Sequence, residues 1–140
     1  MKVEEAQAIY DRYSSKISDP ATIVFSAQEG VSAKIFEDVV KLFGHRDYMT
    51  EVVDLTRKTI KKYHKEDMKF SPSRSEIMLK MISLYQSGIS VFGDRDAFMN
   101  WLTKPAYGIN DKIPFNLIKT SDGIDLIMEE LDRIRYGDTA

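Results

Sequence analysis

Residues 50–63 read Thr50-Glu51-Val52-Val53-Asp54-Leu55-Thr56-Arg57-Lys58-Thr59-Ile60-Lys61-Lys62-Tyr63. Two short helical patterns meet here at a tight turn. Asp47 is placed to cap the first, which runs to about Val53. Thr56 is placed to cap the second, through about His64. Val52, Leu55 and Ile60 set the angle between them. The second helix then turns Arg57, Lys58, Lys61 and Lys62 outward. This is the spacing of a helix-turn-helix, whose second helix enters the major groove by its N-terminal residues while its flanks contact phosphates. Thr56 and Thr59 are within reach of a phosphate or a base edge. The candidate DNA-binding set is therefore Thr56, Arg57, Lys58, Thr59, Lys61 and Lys62. The turn position usually carries glycine, because a left-handed backbone is convenient there. Here it is Asp54, which tolerates that conformation less well and repels phosphate. Short helical pairs also occur in all-α proteins that bind no nucleic acid.

The charge distribution bears on the same segment. The chain has 140 residues and a formal net charge of −2. Residues 1–56 carry 6 basic and 10 acidic side chains, residues 57–80 carry 8 and 3, and residues 81–140 carry 6 and 9. A basic block inside an acidic chain suits a focused phosphate contact. A solvated helix face is the plainer reading of the same run.

Outward from this centre, nearly everything reads as helix. Ala6, Ile9, Tyr10, Tyr13 and Ile17 recur at helical spacing, and Asp19-Pro20 stops that pattern. Thr22-Ile23-Val24-Phe25 is rich in β-formers but too short and isolated for a sheet, and Gly30 breaks it. Ser32 is a candidate N-cap for a helix with Phe36, Val39, Val40 and Phe43 on its apolar face, closed by Gly44. After a loop, Ser73-Arg74-Ser75-Glu76 has the form of a capping box. The long helix it opens bears Ile77, Met78, Met81, Ile82, Tyr85, Ile89 and Phe92. Gly93 ends it. Asp94 caps a short helix with Phe98, Trp101 and Leu102, and Pro105 stops that one. Residues 106–113 read as a loop, and Pro114 opens a brief helix to about Ile118. Thr120-Ser121-Asp122 starts the last helix, with Ile124, Ile127, Met128, Leu131 and Ile134 facing inward. Glu129 and Arg133 form an i,i+4 pair, and Gly137 is the cap.

The fold class is all-α: a compact helical protein with a helix-turn-helix-like part before a small C-terminal helical part. Residues 1–29 form an N-terminal helix and connector, 30–72 the helix-turn-helix domain, and 73–140 the second domain with its long linking helix. Hydrophobic residues make up 43% and charged residues 30%, a globular balance. Such a chain buries roughly two thirds of its surface on folding. There is no cysteine. That excludes disulfides, thiolate metal sites, Fe–S clusters and cysteine nucleophiles in this chain. His45 and His64 stand 19 positions apart with no carboxylate motif to complete a metal site. No phosphate loop or nucleophile elbow is present. Glu129 and Glu130 read as solvated, without a partner for acid–base work. No catalytic residue, metal or cofactor is therefore expected, and the chain does not read as an enzyme. The opening Met-Lys-Val-Glu-Glu has acids where a signal peptide has an apolar run, and no apolar stretch approaches about 18 residues. The expectation is a cytoplasmic protein without a membrane partner.

The second half carries a more specific pattern: Val91-Phe92-Gly93-Asp94, then Ala97-Phe98-Met99-Asn100-Trp101-Leu102, Pro105, Ile109, Ile113-Pro114-Phe115-Asn116-Leu117-Ile118, Thr120, Gly123 and the helix to Tyr136-Gly137. It resembles the toxin-binding domain of the Xre/MbcA/ParS-like antitoxins, over roughly residues 88–137. From Gly30 to the long helix the chain resembles the Xre-like helix-turn-helix domain of the same family. Two positions depart from that pattern. Asn110-Asp111-Lys112 replaces a loop glycine with residues that also accept turn conformations, and Asp54 replaces the turn glycine. Residues 1–28 match nothing comparable.

The resemblance implies an antitoxin of a type II toxin–antitoxin system. It implies a cognate RES-domain toxin that consumes NAD, an active site blocked by the antitoxin, and repression of the operon by the complex. An inhibitor of this kind needs a shaped surface and a few anchors rather than a catalytic centre. Trp101, Arg133, Arg135, Tyr136 and Gly137 are the candidate toxin-binding residues, with Asp138 at the acidic end of the same segment. Arg133 and Arg135 suit a pocket made for a phosphate-bearing ligand. Trp101 on its short helix equally suits the core. A homodimer is expected, because helix-turn-helix readers bind paired half-sites. The alternative is a stand-alone helix-turn-helix transcriptional regulator with no toxin.

Overall fold

The computed structural model describes residues 1–137, and among these the chain is all-α, with no strand. Its helices are α1 (Val3–Tyr13), α2 (Pro20–Glu29), α3 (Ile35–Phe43), α4 (Arg46–Val53), α5 (Arg57–Lys65), α6 (Pro72–Phe92), α7 (Arg95–Leu102) and α8 (Ser121–Arg135). Short 3-10 turns follow α1 at Ser14–Lys16 and lie between α7 and α8 at Tyr107–Ile109 and Pro114–Leu117. The chain divides into two compact units, Met1–Ile82 and a second from Ser83 onward.

In the first unit, α2 corrects the sequence reading. α1 ends at Tyr13, well before Asp19-Pro20, and that pair starts α2 instead of stopping α1: the Asp19 carboxylate accepts from the Thr22 N–H at 2.8 Å. Pro20 occupies the first helical position, where its missing N–H costs nothing and its φ is already helical. The β-formers Ile23, Val24 and Phe25 follow this start into helix, since propensity is a weak prior. Ser32 lies before α3 rather than capping it directly. Its carbonyl accepts from the Ile35 N–H, and its backbone pairs with Lys69 in an isolated antiparallel bridge. Phe36, Val39, Leu42 and Phe43 are fully buried on α3, and Gly44 closes it at φ 73°. The start of α4 is His45, in the left-handed region at φ 56°, not Asp47. Ser71, not Ser73, caps α6: its hydroxyl accepts from the Arg74 N–H at 3.2 Å, with Pro72 next in the chain. Ser75 is instead buried, accepting from the Val31 N–H and donating to the Phe70 carbonyl.

A buried carboxylate holds α1 to α3. Asp38 is 5% exposed. It accepts from the Tyr13 hydroxyl at 2.5 Å and from Arg12 at 2.7 Å. Burial, and then the bond to Asp38, push the Tyr13 hydroxyl well above its ordinary range. A buried charge without such partners is strongly destabilising. α1, which no motif explained, is thus fastened to the α3–α5 region's first helix.

The second unit is built on Phe98. Tyr85 meets its edge at 5.9 Å, Phe92 stacks on it at 6.2 Å, and a Cβ on Gly88 would overlap its ring. Asp94 caps α7 through the Ala97 N–H, and Thr120 caps α8 through the Gly123 N–H, both as read. Ile124, Ile127 and Leu131 are fully buried on α8.

Candidate functional site

Val53 ends α4, and Asp54 turns the chain in the left-handed region at φ 54° and ψ 49°. Thr56 then starts α5 by accepting from the Thr59 N–H at 3.1 Å. Ile60 is buried beneath α5, while Arg57, Lys58, Lys61 and Lys62 are exposed. Lys58, Lys61 and Lys62 make no ion pair among the described residues. The Thr56 hydroxyl is engaged in capping and in a 3.0 Å bond to the Thr59 hydroxyl, so both threonines are partly committed to the helix start. Arg57 contacts the Asp47 carboxylate of α4. That exposed pair places an acid beside the first residue of α5.

Two features that the sequence reading missed set the geometry. From α6, the Arg74 Nε donates to the Val53 carbonyl at 2.6 Å and its Nη2 to the Asp54 carbonyl at 3.3 Å. One guanidinium thereby satisfies two carbonyls at the turn between α4 and α5. A cleft of about 210 Å³ lies among α3, α4 and α5. Phe36 and Ile60 give it apolar walls, and Arg46, Arg57, Lys61 and His64 give it polar ones. Glu37, also in its lining, is bound by both Arg46 terminal nitrogens at 2.9 and 2.7 Å. That bond holds the Glu37 carboxyl below its ordinary range. His64 donates from Nε2 to the Ala33 carbonyl at 3.1 Å. Among the described residues no group of side chains has the makings of a metal site.

In the second unit the predicted residues divide by burial. Trp101 is half-buried, its ring 5.4 Å from that of Phe92. Arg133 is half-buried, whereas Arg135, Tyr136 and Gly137 are exposed. Gly137 stands at φ 82°, as a glycine after a helix does. Asp138 lies outside the described residues. Glu130 is not solvated as the sequence suggested: it is 1% exposed. Arg133 pairs with it, Nε to Oε1 at 2.9 Å, rather than with Glu129 as anticipated. The signal was present in the spacing, since Glu130 stands three residues after Ile127 and four before Ile134 on the inward arc.

The family model for the antitoxin Xre/MbcA/ParS C-terminal toxin-binding domain matches residues 87–137. Over that stretch the chain is similar to the toxin-binding domain of the Xre/MbcA/ParS antitoxins. An Antitoxin Xre of Yersinia enterocolitica is 24% identical over 72 residues, which cover 51% of this chain and 49% of that protein. The chain thus spans about half the length of that curated relative. The matched span runs from α6 through α7 to the end of α8. It contains Trp101, Arg133, Arg135, Tyr136 and Gly137. No helix among the described residues is long and apolar enough to cross a membrane.

Proposed function

We propose that this chain is the antitoxin of a type II pair, binding a NAD-consuming RES-domain toxin through residues 87–137 and blocking its active site. The family match over those residues carries the reading. The exposed end of α8 supports it, because Arg135 and Tyr136 offer a cation and an aromatic ring, the residue types that anchor interfaces. The same chain, as a homodimer in the cytoplasm, represses its own operon. Here α5 is the reading helix, with Arg57, Lys58, Lys61 and Lys62 on the phosphates or base edges and Thr56 and Thr59 at its N-terminus. The exposed cations on α5 support this half.

The test is co-expression with the toxin-like product of the adjacent gene, scoring growth and cellular NAD. Restored growth, preserved NAD and a co-purifying complex are the expected results. Persistent toxicity with no complex overturns the antitoxin half. Sequence-specific DNA binding by the chain alone would then favour a stand-alone regulator.

A further inference from the structure

Tyr107 is 81% exposed, the most exposed aromatic side chain among the described residues. Its loop is nonetheless tightly held. The Ala106 N–H donates to the Lys112 carbonyl at 2.9 Å, and the Ala106 carbonyl accepts from the Ile109 and Asp111 N–H groups. Asn110 and Asp111 both take left-handed backbone, at φ 51° and 59°, which asparagine and aspartate tolerate better than most residues. Ile109 is buried beneath the loop.

The adjoining Gly108 lies so close to α8 that a Cβ there would overlap the Glu130 carboxylate. One carboxylate therefore meets the Tyr107 loop and, through Oε1, the Arg133 Nε. Arg133 uses only Nε in that bond, leaving its terminal nitrogens for another acceptor. The loop backbone next to Tyr107 and the Arg133 guanidinium are thus held against one buried carboxylate. A loop backbone and a guanidinium already held in place lose little freedom on binding.

We propose that Tyr107 and Arg133 form a second anchor for the toxin, with the Tyr107 ring entering an apolar pocket and the Arg133 terminal nitrogens meeting a toxin carboxylate. This rests on the antitoxin reading and extends it from the end of α8 to the loop between α7 and α8. Glu130 acts as the positioning residue, touching the loop and Arg133 but not the toxin.

The experiment measures binding of the full chain to the immobilised toxin product of the adjacent gene. Tyr107→Ala is expected to weaken binding at least about 30-fold, chiefly through faster dissociation. Tyr107→Phe, which keeps the ring, is expected within about 3-fold of the unaltered chain. Arg133→Lys, which keeps a cation beside Glu130 but loses the guanidinium fork, and Tyr107→Ala are expected to be non-additive when combined. Far-ultraviolet circular dichroism should be unchanged for both Tyr107 variants, since the side chain is exposed. Toxin binding by the unaltered chain with Tyr107→Ala within about 3-fold of it overturns the anchor and leaves the antitoxin reading intact. Equal losses for Tyr107→Ala and Tyr107→Phe overturn the ring's role. No binding by the unaltered chain overturns both the anchor and the reading on which it rests.

Discussion

At Asp54 the backbone takes φ 54° and ψ 49°, where glycine meets no steric cost and most residues do. The sequence placed a turn at this residue, and the left-handed backbone is there with an aspartate occupying it. Other residue-scale features came from tertiary contacts that no local pattern records. Gly108 reads as one glycine in a loop, yet its missing Cβ is what lets the Glu130 carboxylate approach. Gly108→Ala is expected to destabilise the second unit by about 1–3 kcal/mol, the usual cost of forcing an atom into a packed site. The urea midpoint of the full chain measures it. The Tyr13 hydroxyl gives a pH prediction. Its ordinary value is 10.0, and burial followed by the bond to Asp38 raises it in the fold. A group whose value is raised on folding contributes stability that is complete below its unfolded value and lost as pH rises above it. Stability of the first unit is therefore expected to fall as pH climbs past about 10. Tyr13→Phe, with no proton to lose there, is expected to show a shallower fall between pH 10 and 11. Equal slopes in the two proteins would remove Tyr13 from the account.

Among the elements, α5, α7 and α8 were legible because their starts are chemically explicit: Thr56, Asp94 and Thr120 each accept a backbone N–H at the expected position. α2 was missed because Asp19-Pro20 reads equally as a stop and as a start, and β-branched residues masked the start, which is its actual role. The true start of α6 was obscured by two serines two residues apart, of which Ser71 makes the cap. Arg74 was missed for a different reason. Its acceptors are backbone carbonyls about one helix pair earlier in the chain, and every residue has a carbonyl. Its two bonds at the turn make a prediction specific to element orientation. Arg74→Ala is expected to speed hydrogen exchange at the N-terminal amides of α5 and to weaken operator binding about tenfold or more. The slope of log affinity against log salt is expected to stay within about 0.5 of the unaltered value, because no phosphate contact is lost. A slope reduced by about 0.9 would place Arg74 on the DNA backbone instead. Arg74→Lys is expected to restore little, since an ammonium lacks the planar fork that spans both carbonyls.

For the whole molecule, the basic block and the matched family span fall on different stretches of chain. Residues 57–80 carry the excess positive charge, and residues 87–137 carry the match. If each half of the proposed function follows its own stretch, the two activities separate by mutation. Replacing Arg57, Lys58, Lys61 and Lys62 with alanine is expected to abolish operator binding at moderate salt while leaving toxin neutralisation unchanged. Truncation is expected to do the reverse, but the cut must be chosen with care. Removing residues from Arg133 onward strips the partner from buried Glu130 and conflates unfolding with lost contact. Ending the chain at Arg135 keeps that pair and removes Tyr136 and everything after it. Growth rescue and operator gel shifts, run on both variants, decide the matter; loss of neutralisation in the alanine quartet would end the division of labour. The quartet also moves the formal net charge from −2 to −6, and self-charge alone weakens attraction to DNA. A matched variant with Lys2, Lys41, Lys104 and Lys112 replaced carries the same −6 while sparing α5. If α5 is the reading helix, that control retains operator selectivity over random DNA and the quartet does not. Equal losses in the two would reduce the basic block to a contribution to overall charge.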